Sequence, residues 1–240
     1  MSQFALLTEA LGGIRRLVAP LAVVAMMAAS ASAAPVEFAD FNSPANGQAF
    51  RFTNNGGTSG SISVASAPIN FNFTAATGLS TADRSALLTI TGNTFTPATA
   101  LGGGFIDQPI SNISTLSITS GGQNLLTMTF TGDIIGRNAN ASLLGSDTSG
   151  QVVQFTSDFL TFQQPGNSYN LSLAAISPNL SIGAGGFLNS FLASINGQFT
   201  ANIVSVPAPG SIAMFGTGIA AALVVATQRK RFAKLNKTTG

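Results

Sequence analysis

The chain has no cysteine, no histidine and no tryptophan, and only one tyrosine. Charge is scarce as well, with 10 basic and 8 acidic residues among 240. Each absence removes a class of chemistry. Without cysteine there is no disulfide, no thiolate nucleophile and no thiolate metal ligand. Without histidine the commonest general base is missing, and so is the usual serine-hydrolase triad. Carboxylates alone can cleave a glycosidic bond, but only when two of them flank it. Nothing in the sequence pairs them, so the chain reads as a non-enzyme with no catalytic residue, metal or cofactor assigned. Asp133 and Asp147 stand singly beside glycines, as turn and cap residues do, whereas calcium needs several clustered oxygens. Gly102, Gly103 and Gly104 lack the spacing and the lysine of a phosphate-binding loop. An aromatic sugar platform needs exposed rings. The single tyrosine, Tyr169, shares its alternating face with Leu171 and so reads as a core-edge residue.

Charge also divides the chain. Between residues 34 and 205 stand Arg51, Arg84 and Arg137 against Glu37, Asp40, Asp83, Asp107, Asp133, Asp147 and Asp158, a net −4. The surplus of basic residues lies at the two ends. A mildly acidic body gives no electrostatic reason to bind nucleic acid. Serine, threonine and asparagine supply its polar surface in place of charge.

What the body has is period-2 alternation. Ile69, Phe71 and Phe73 alternate with Asn70, Asn72 and Thr74. Leu126, Met128 and Phe130 alternate with Thr127, Thr129 and Thr131. Tyr169, Leu171 and Leu173 alternate with Asn170 and Ser172, and Phe199, Ala201 and Ile203 with Thr200 and Asn202. Leu88 and Ile90 do the same with Thr89 and Thr91. Further strands are expected at 36–41, 48–53, 60–65, 113–119 and 151–162. Such strands have one buried and one wet face, as antiparallel sheets do. Asn46-Gly47 and Asn196-Gly197 suit two-residue hairpins. Asn55-Gly56-Gly57, the 102–104 glycines, Gly121-Gly122, residues 147–150 and Pro165-Gly166-Asn167 read as loops or turns. One short helix is expected within 182–194 and a helical turn within 81–86. The segments 87–92 and 125–132 look alike and read as convergent strand composition. Ten or more short strands without a strong helix predict an all-β domain, an antiparallel two-sheet sandwich of jelly-roll type. A β-helix is the runner-up, and no fixed repeat supports it.

The two ends are of another kind. Residues 1–33 read as a secretory signal peptide. Arg15 and Arg16 give the positive region, 17–29 the apolar region, and Ala31-Ser32-Ala33 the small-residue site, with cleavage between Ala33 and Ala34. The alternative is an uncleaved N-terminal anchor. At the other end, residues 206–240 have three parts in order. Val206-Pro207-Ala208-Pro209 comes first, and its prolines force extended backbone. Residues 210–227 follow, uncharged, just long enough to span a membrane as one helix. The basic cluster Arg229, Lys230 and Arg231 comes next and should stay cytoplasmic, leaving the body outside.

This order resembles the PEP-CTERM sorting signal of Gram-negative bacteria: a Pro-Glu-Pro motif, a short transmembrane helix and an Arg-rich end. Pro207 and Pro209 match the two prolines, while Ala208 stands where the family has glutamate. The resemblance covers only these 35 or so residues. It implies processing by an exosortase, after export by the secretion machinery and cleavage by signal peptidase. It also implies a final place at the cell surface or in the extracellular matrix, with a link to exopolysaccharide or biofilm. A plain C-terminal anchor is the alternative, and a glycan-binding module is the alternative for the body. The mature chain is expected to begin at Ala34; N-terminal sequencing that finds residues 1–33 retained refutes the cleavage.

Overall fold

The computed structural model describes residues 34–43, 47–75, 79 and 81–204. Residues 1–33, expected as a signal peptide, Asn46 of the expected Asn46-Gly47 hairpin and the whole tail 206–240, with its expected transmembrane helix, lie outside the described residues. Among those described, no helix is long and apolar enough to cross a membrane.

Alternation builds strands nearly throughout. In chain order they are β1 (Val36–Asn42), β2 (Phe50–Asn54), β3 (Gly60–Phe73), β4 (Arg84–Thr94), β5 (Thr99–Ala100), β6 (Ile106–Ser120), β7 (Gln123–Arg137), β8 (Asn140–Ser146), β9 (Val153–Thr156), β10 (Thr161–Ser177) and β11 (Phe191–Val204). All pair antiparallel. The path β6–β4–β3–β1–β11–β10–β8–β7 returns to β6, because β6 and β7 also pair. Eight strands therefore close a barrel, and the expected two-sheet sandwich is incorrect. Three short strands stand outside that ring. β2 sits between β3 and β11, as β1 does further along them. β5 keeps on β6 the register that β4 has, with Leu87 opposite Thr119 and Thr99 opposite Asp107. β9 pairs with β7, the strand that also carries β8.

The local signals mislead for a physical reason. Turn residues suggest strand ends, but in a closed barrel many of them are bends inside long strands. Ser66, with φ 47, lies in a register shift within β3, so the segments expected at 60–65 and from Ile69 onward are one strand of 14 residues. Pro165-Gly166-Asn167 is a bulge inside the 17-residue β10, between Gln163 and Ser168. The expected strand 151–162 is in fact β9 and the start of β10. Asn196-Gly197 is no hairpin: it lies mid-β11, with Gly197 opposite both Phe41 and Leu171. A side chain at Gly197 would run into the Phe41 ring and the Leu171 methyls. The helix expected within 182–194 reduces to a single turn at Ala184–Gly186, and β4 already begins at Arg84, inside the expected helical turn. Gly121-Gly122, expected as a loop or turn, is one: with φ 58 and 82 it joins Ser120 to Gln123 as a two-residue hairpin. The look-alike segments 87–92 and 125–132 flank β6 in register, Leu88 and Leu126 both lying opposite Ile118.

Eight strands enclose a bore that side chains can fill or that can hold one small ligand. Here phenylalanine fills it. Phe38, Phe41, Phe50, Phe52, Phe71, Phe73, Phe130 and Phe199 are all fully buried. Phe52 stacks on Phe191 at 5.6 Å, and Phe38 meets Phe155 edge-on at 5.3 Å. The outward face of the strands is serine, threonine and asparagine. Lipid-embedded barrels have the reverse arrangement, apolar outside and polar within.

Chain ends and loops sort to two poles. β1 begins beside the end of β11, with Val36 opposite Ala201. The links β3–β4, β6–β7 and β9–β10 share that pole. The links β2–β3, β5–β6, β7–β8 and β10–β11 share the other.

Gly197→Ala should overpack the bore where the Phe41 ring passes. The expected loss is about 1–3 kcal/mol, read as a lower urea midpoint at unchanged m-value. An unchanged midpoint contradicts the packing described.

Candidate functional site

The outer faces of β3, β1, β11, β10 and β8 carry a concentration of carboxamides. Their positions follow from alternation: Phe41, Phe71, Leu171 and Phe199 point inward, so their neighbours point out. Register then aligns those neighbours across strands. One row runs Asn72, Asp40, Gln198, Asn170, each opposite the next. The row beside it runs Asn70, Asn42, Asn196, Ser172, Ser142. Neighbours within a row are one strand apart, about 4.8 Å, and the rows lie two residues apart, roughly 6.7 Å.

Between the rows lies a groove of about 380 Å³, lined by side chains including Asp40, Asn42, Asn170, Ser172, Asn196 and Gln198. A second groove, of about 550 Å³, continues toward Ser142, Asn140 and Arg137, and Ser172 lines both. Arg137 closes that end with its guanidinium 4.9 Å from the centre of the Phe105 ring. Within the first groove only Asn196 is engaged, its Oδ1 accepting the Ser43 N–H at 3.0 Å. The side chains of Asp40, Asn42, Asn170, Ser172 and Gln198 make no hydrogen bond to another described residue. Carboxamides donate and accept together, and so do hydroxyls. Asp40 is the one ionisable group among the residues lining the first groove. Burial, and then the charge of Asp83, push its carboxyl above the ordinary carboxylate range.

The residues singled out from the sequence fall elsewhere. Val206, Pro207, Ala208, Pro209, Arg229, Lys230, Arg231 and Ala33 lie outside the described residues, and Ala34 is exposed. Asp147 serves the fold. Its carboxylate accepts the backbone N–H of Gly166 at 2.9 Å and of Asn167 at 3.0 Å, fastening the β10 bulge. Tyr169 is buried as expected, edge-on to Phe130, with its hydroxyl donating to the Thr131 carbonyl at 3.0 Å. The 102–104 glycines form one tight turn with Gly103 at φ 70. No group of three or more acids that could hold a metal occurs among the described residues.

The carboxamide rows are missed from the sequence because cross-strand register is not written locally. One signal is present. Asparagine is disfavoured in strands, yet Asn42, Asn70, Asn72, Asn170 and Asn196 all sit in strands whose inward residues are strongly strand-forming. Such a bias toward a poor strand former on one face asks for a reason other than sheet building.

Two acids lie diagonally across the β6–β7 pair. Asp107 is opposite Ile135, and Asp133 is opposite Pro109. Burial raises the pKa of each, and the charge of Asp133 raises Asp107 further. The Gln151 amide, donating to Asp133 Oδ2 at 2.6 Å, partly offsets the rise on Asp133. Asp107 Oδ1 is buried without a partner. The folded chain therefore holds these protons more tightly than the unfolded chain does. Stability should rise as pH falls from each raised value toward the ordinary 3.8. The urea midpoint is expected to be at least as high near pH 4.5 as near pH 7, and Asp107→Asn should remove part of the difference. A midpoint that falls steadily over that range contradicts the reading.

No protein-family model matches the chain, and no curated protein or solved structure matches it significantly.

Proposed function

We propose that this chain is an exported, non-enzymatic cell-surface or extracellular-matrix protein, sorted through its C-terminal PEP-CTERM-like signal. The general secretory route exports it, and signal peptidase releases it at Ala34. Residues 210–227 then hold it in the inner membrane with the body outside and Arg229, Lys230 and Arg231 in the cytoplasm. An exosortase-type enzyme processes it near Pro207 and Pro209, and it passes to the surface or matrix of a Gram-negative bacterium, in company with exopolysaccharide or biofilm.

The observation that carries this reading is the ordered tail, proline motif, apolar run and basic cluster. The fold supports it in two ways. β11, the last strand, ends at Val204, so only Ser205 and Val206 separate the barrel from Pro207. Removing everything from Pro207 onward therefore takes away no barrel residue. The body also needs neither disulfide nor metal, since phenylalanine packing and a closed hydrogen-bond circuit hold it together.

The second reading is a glycan-binding module on the cell envelope. The carboxamide groove favours it, because that face carries unused hydrogen-bonding groups instead of the threonines that merely build sheet.

In an exosortase-competent host the surface fraction should yield a chain whose intact mass lacks the tail from about Pro207 onward. A surface species that keeps residues 210–240 means a plain anchor and overturns the sorting role.

A further inference from the structure

The barrel's outer surface is not uniform. Across the middle of β4, β6 and β7 the outward residues are Thr89, Thr91, Thr115, Ser117, Thr127 and Thr129, with Thr91, Thr115 and Thr129 in one cross-strand row. The asparagines of these strands are engaged, Asn112 Nδ2 donating to Asn93 Oδ1 at 3.1 Å and Thr127 Oγ1 to Asn124 Oδ1 at 2.9 Å. On the other half, β3, β1, β11 and β10 carry asparagine and glutamine at equivalent positions. Carboxamides weaken strands, so sheet stability does not explain them. They also converge on a concavity, and there, apart from Asn196 Oδ1, which accepts the Ser43 N–H, their side chains make no hydrogen bond to another described residue.

We propose that this groove binds a linear, neutral polysaccharide lying across β1, β11, β10 and β8. The chemistry selects that class. The first groove is lined by a single carboxylate and no cation, and the one cation lining the second, Arg137, lies at its far end over the Phe105 ring, so a phosphate or a sulfate meets no cluster of cations along the site. Phe41, the one large apolar residue lining the first groove, is buried, so that groove holds no apolar pocket of the kind a peptide side chain fills. The strands under the groove are paired on both sides, so a peptide finds no free edge there to extend. Vicinal hydroxyls both donate and accept, and carboxamides match them group for group. Leu144, half-exposed and opposite Asn170, offers an apolar contact for the C–H face of a sugar ring. The two grooves joined at Ser172 span four strand intervals from β1 to β7, roughly 20 Å. That length takes several rings of a chain and makes a monosaccharide a poor ligand. With Asp40 in the groove and a net −4 on the body, a polymer bearing a carboxylate on every ring is repelled.

The proposal deepens the surface-protein reading, on which it rests only for where the ligand is met. The test is independent of sorting. The full chain, purified in mild detergent, is titrated calorimetrically with a β-1,4-glucan hexamer, a β-1,4-mannan hexamer, glucose and an alginate hexamer. Saturable binding to one neutral hexamer is expected, with glucose at least a hundredfold weaker and alginate not bound. The double variant Asn170→Ala, Gln198→Ala should weaken binding at least tenfold, and Ser172→Trp should block the junction of the grooves. Thr89→Ala with Thr127→Ala, on the other half, should leave affinity unchanged and so serves as the folding-matched control. Failure of both neutral hexamers to bind, or binding indifferent to the groove variants, overturns the proposal. So does self-association of the chain that those variants abolish, which would assign the face to a second copy. None of these results changes the mass measurement on the tail.

Discussion

Eight antiparallel strands closed on themselves enclose a bore of nearly fixed width, and in this chain side chains alone must fill it. Phenylalanine is the means. Rings from β1, β2, β3, β7 and β11 meet in the interior, several of them edge to face. So bulky a residue fits only where the opposing wall gives way. Gly197 gives way to Phe41, and Gly60 to Phe52, each by lacking a Cβ where a ring passes. The glycines inside the strands are thus the complement of the rings. With no cysteine and little charge, this fit and the closed ladder are what hold the body together. Closure also leaves the eight-stranded ring itself without the edges by which a sheet-built protein aggregates.

Much of this is legible in the sequence. The alternation locates the buried face of β3, β4, β7, β10 and β11 correctly, and the turn at Gly121-Gly122 and the burial of Tyr169 follow from neighbours alone. Closure is not legible. A sandwich strand and a barrel strand alternate identically, and what separates them is how far a strand runs and with whom it pairs. Pro165-Gly166-Asn167 and Asn196-Gly197 carry the local chemistry of turns, but β10 and β11 continue through them because pairing on both sides outweighs local preference. The carboxamide groove is hidden for the same reason: Asn42, Asn170 and Asn196 are far apart in the chain, and only register makes them neighbours.

The two halves of the outer wall show how a surface can carry information without charge. Threonine on β4, β6 and β7 serves the sheet and the solvent at once. Asparagine on β3, β1, β11 and β10 serves the sheet poorly, and Asp107 and Asp133 are half-buried away from the solvent they prefer. Packing within the bore is what allows these concessions outside it.

The placement of β11 has a mechanical consequence. It is flanked along its length by β10 on one side and by β1 and β2 on the other. A load applied along the β11 axis shears the hydrogen bonds of both flanks together. Pulled that way, β11 yields only when both ladders give at once.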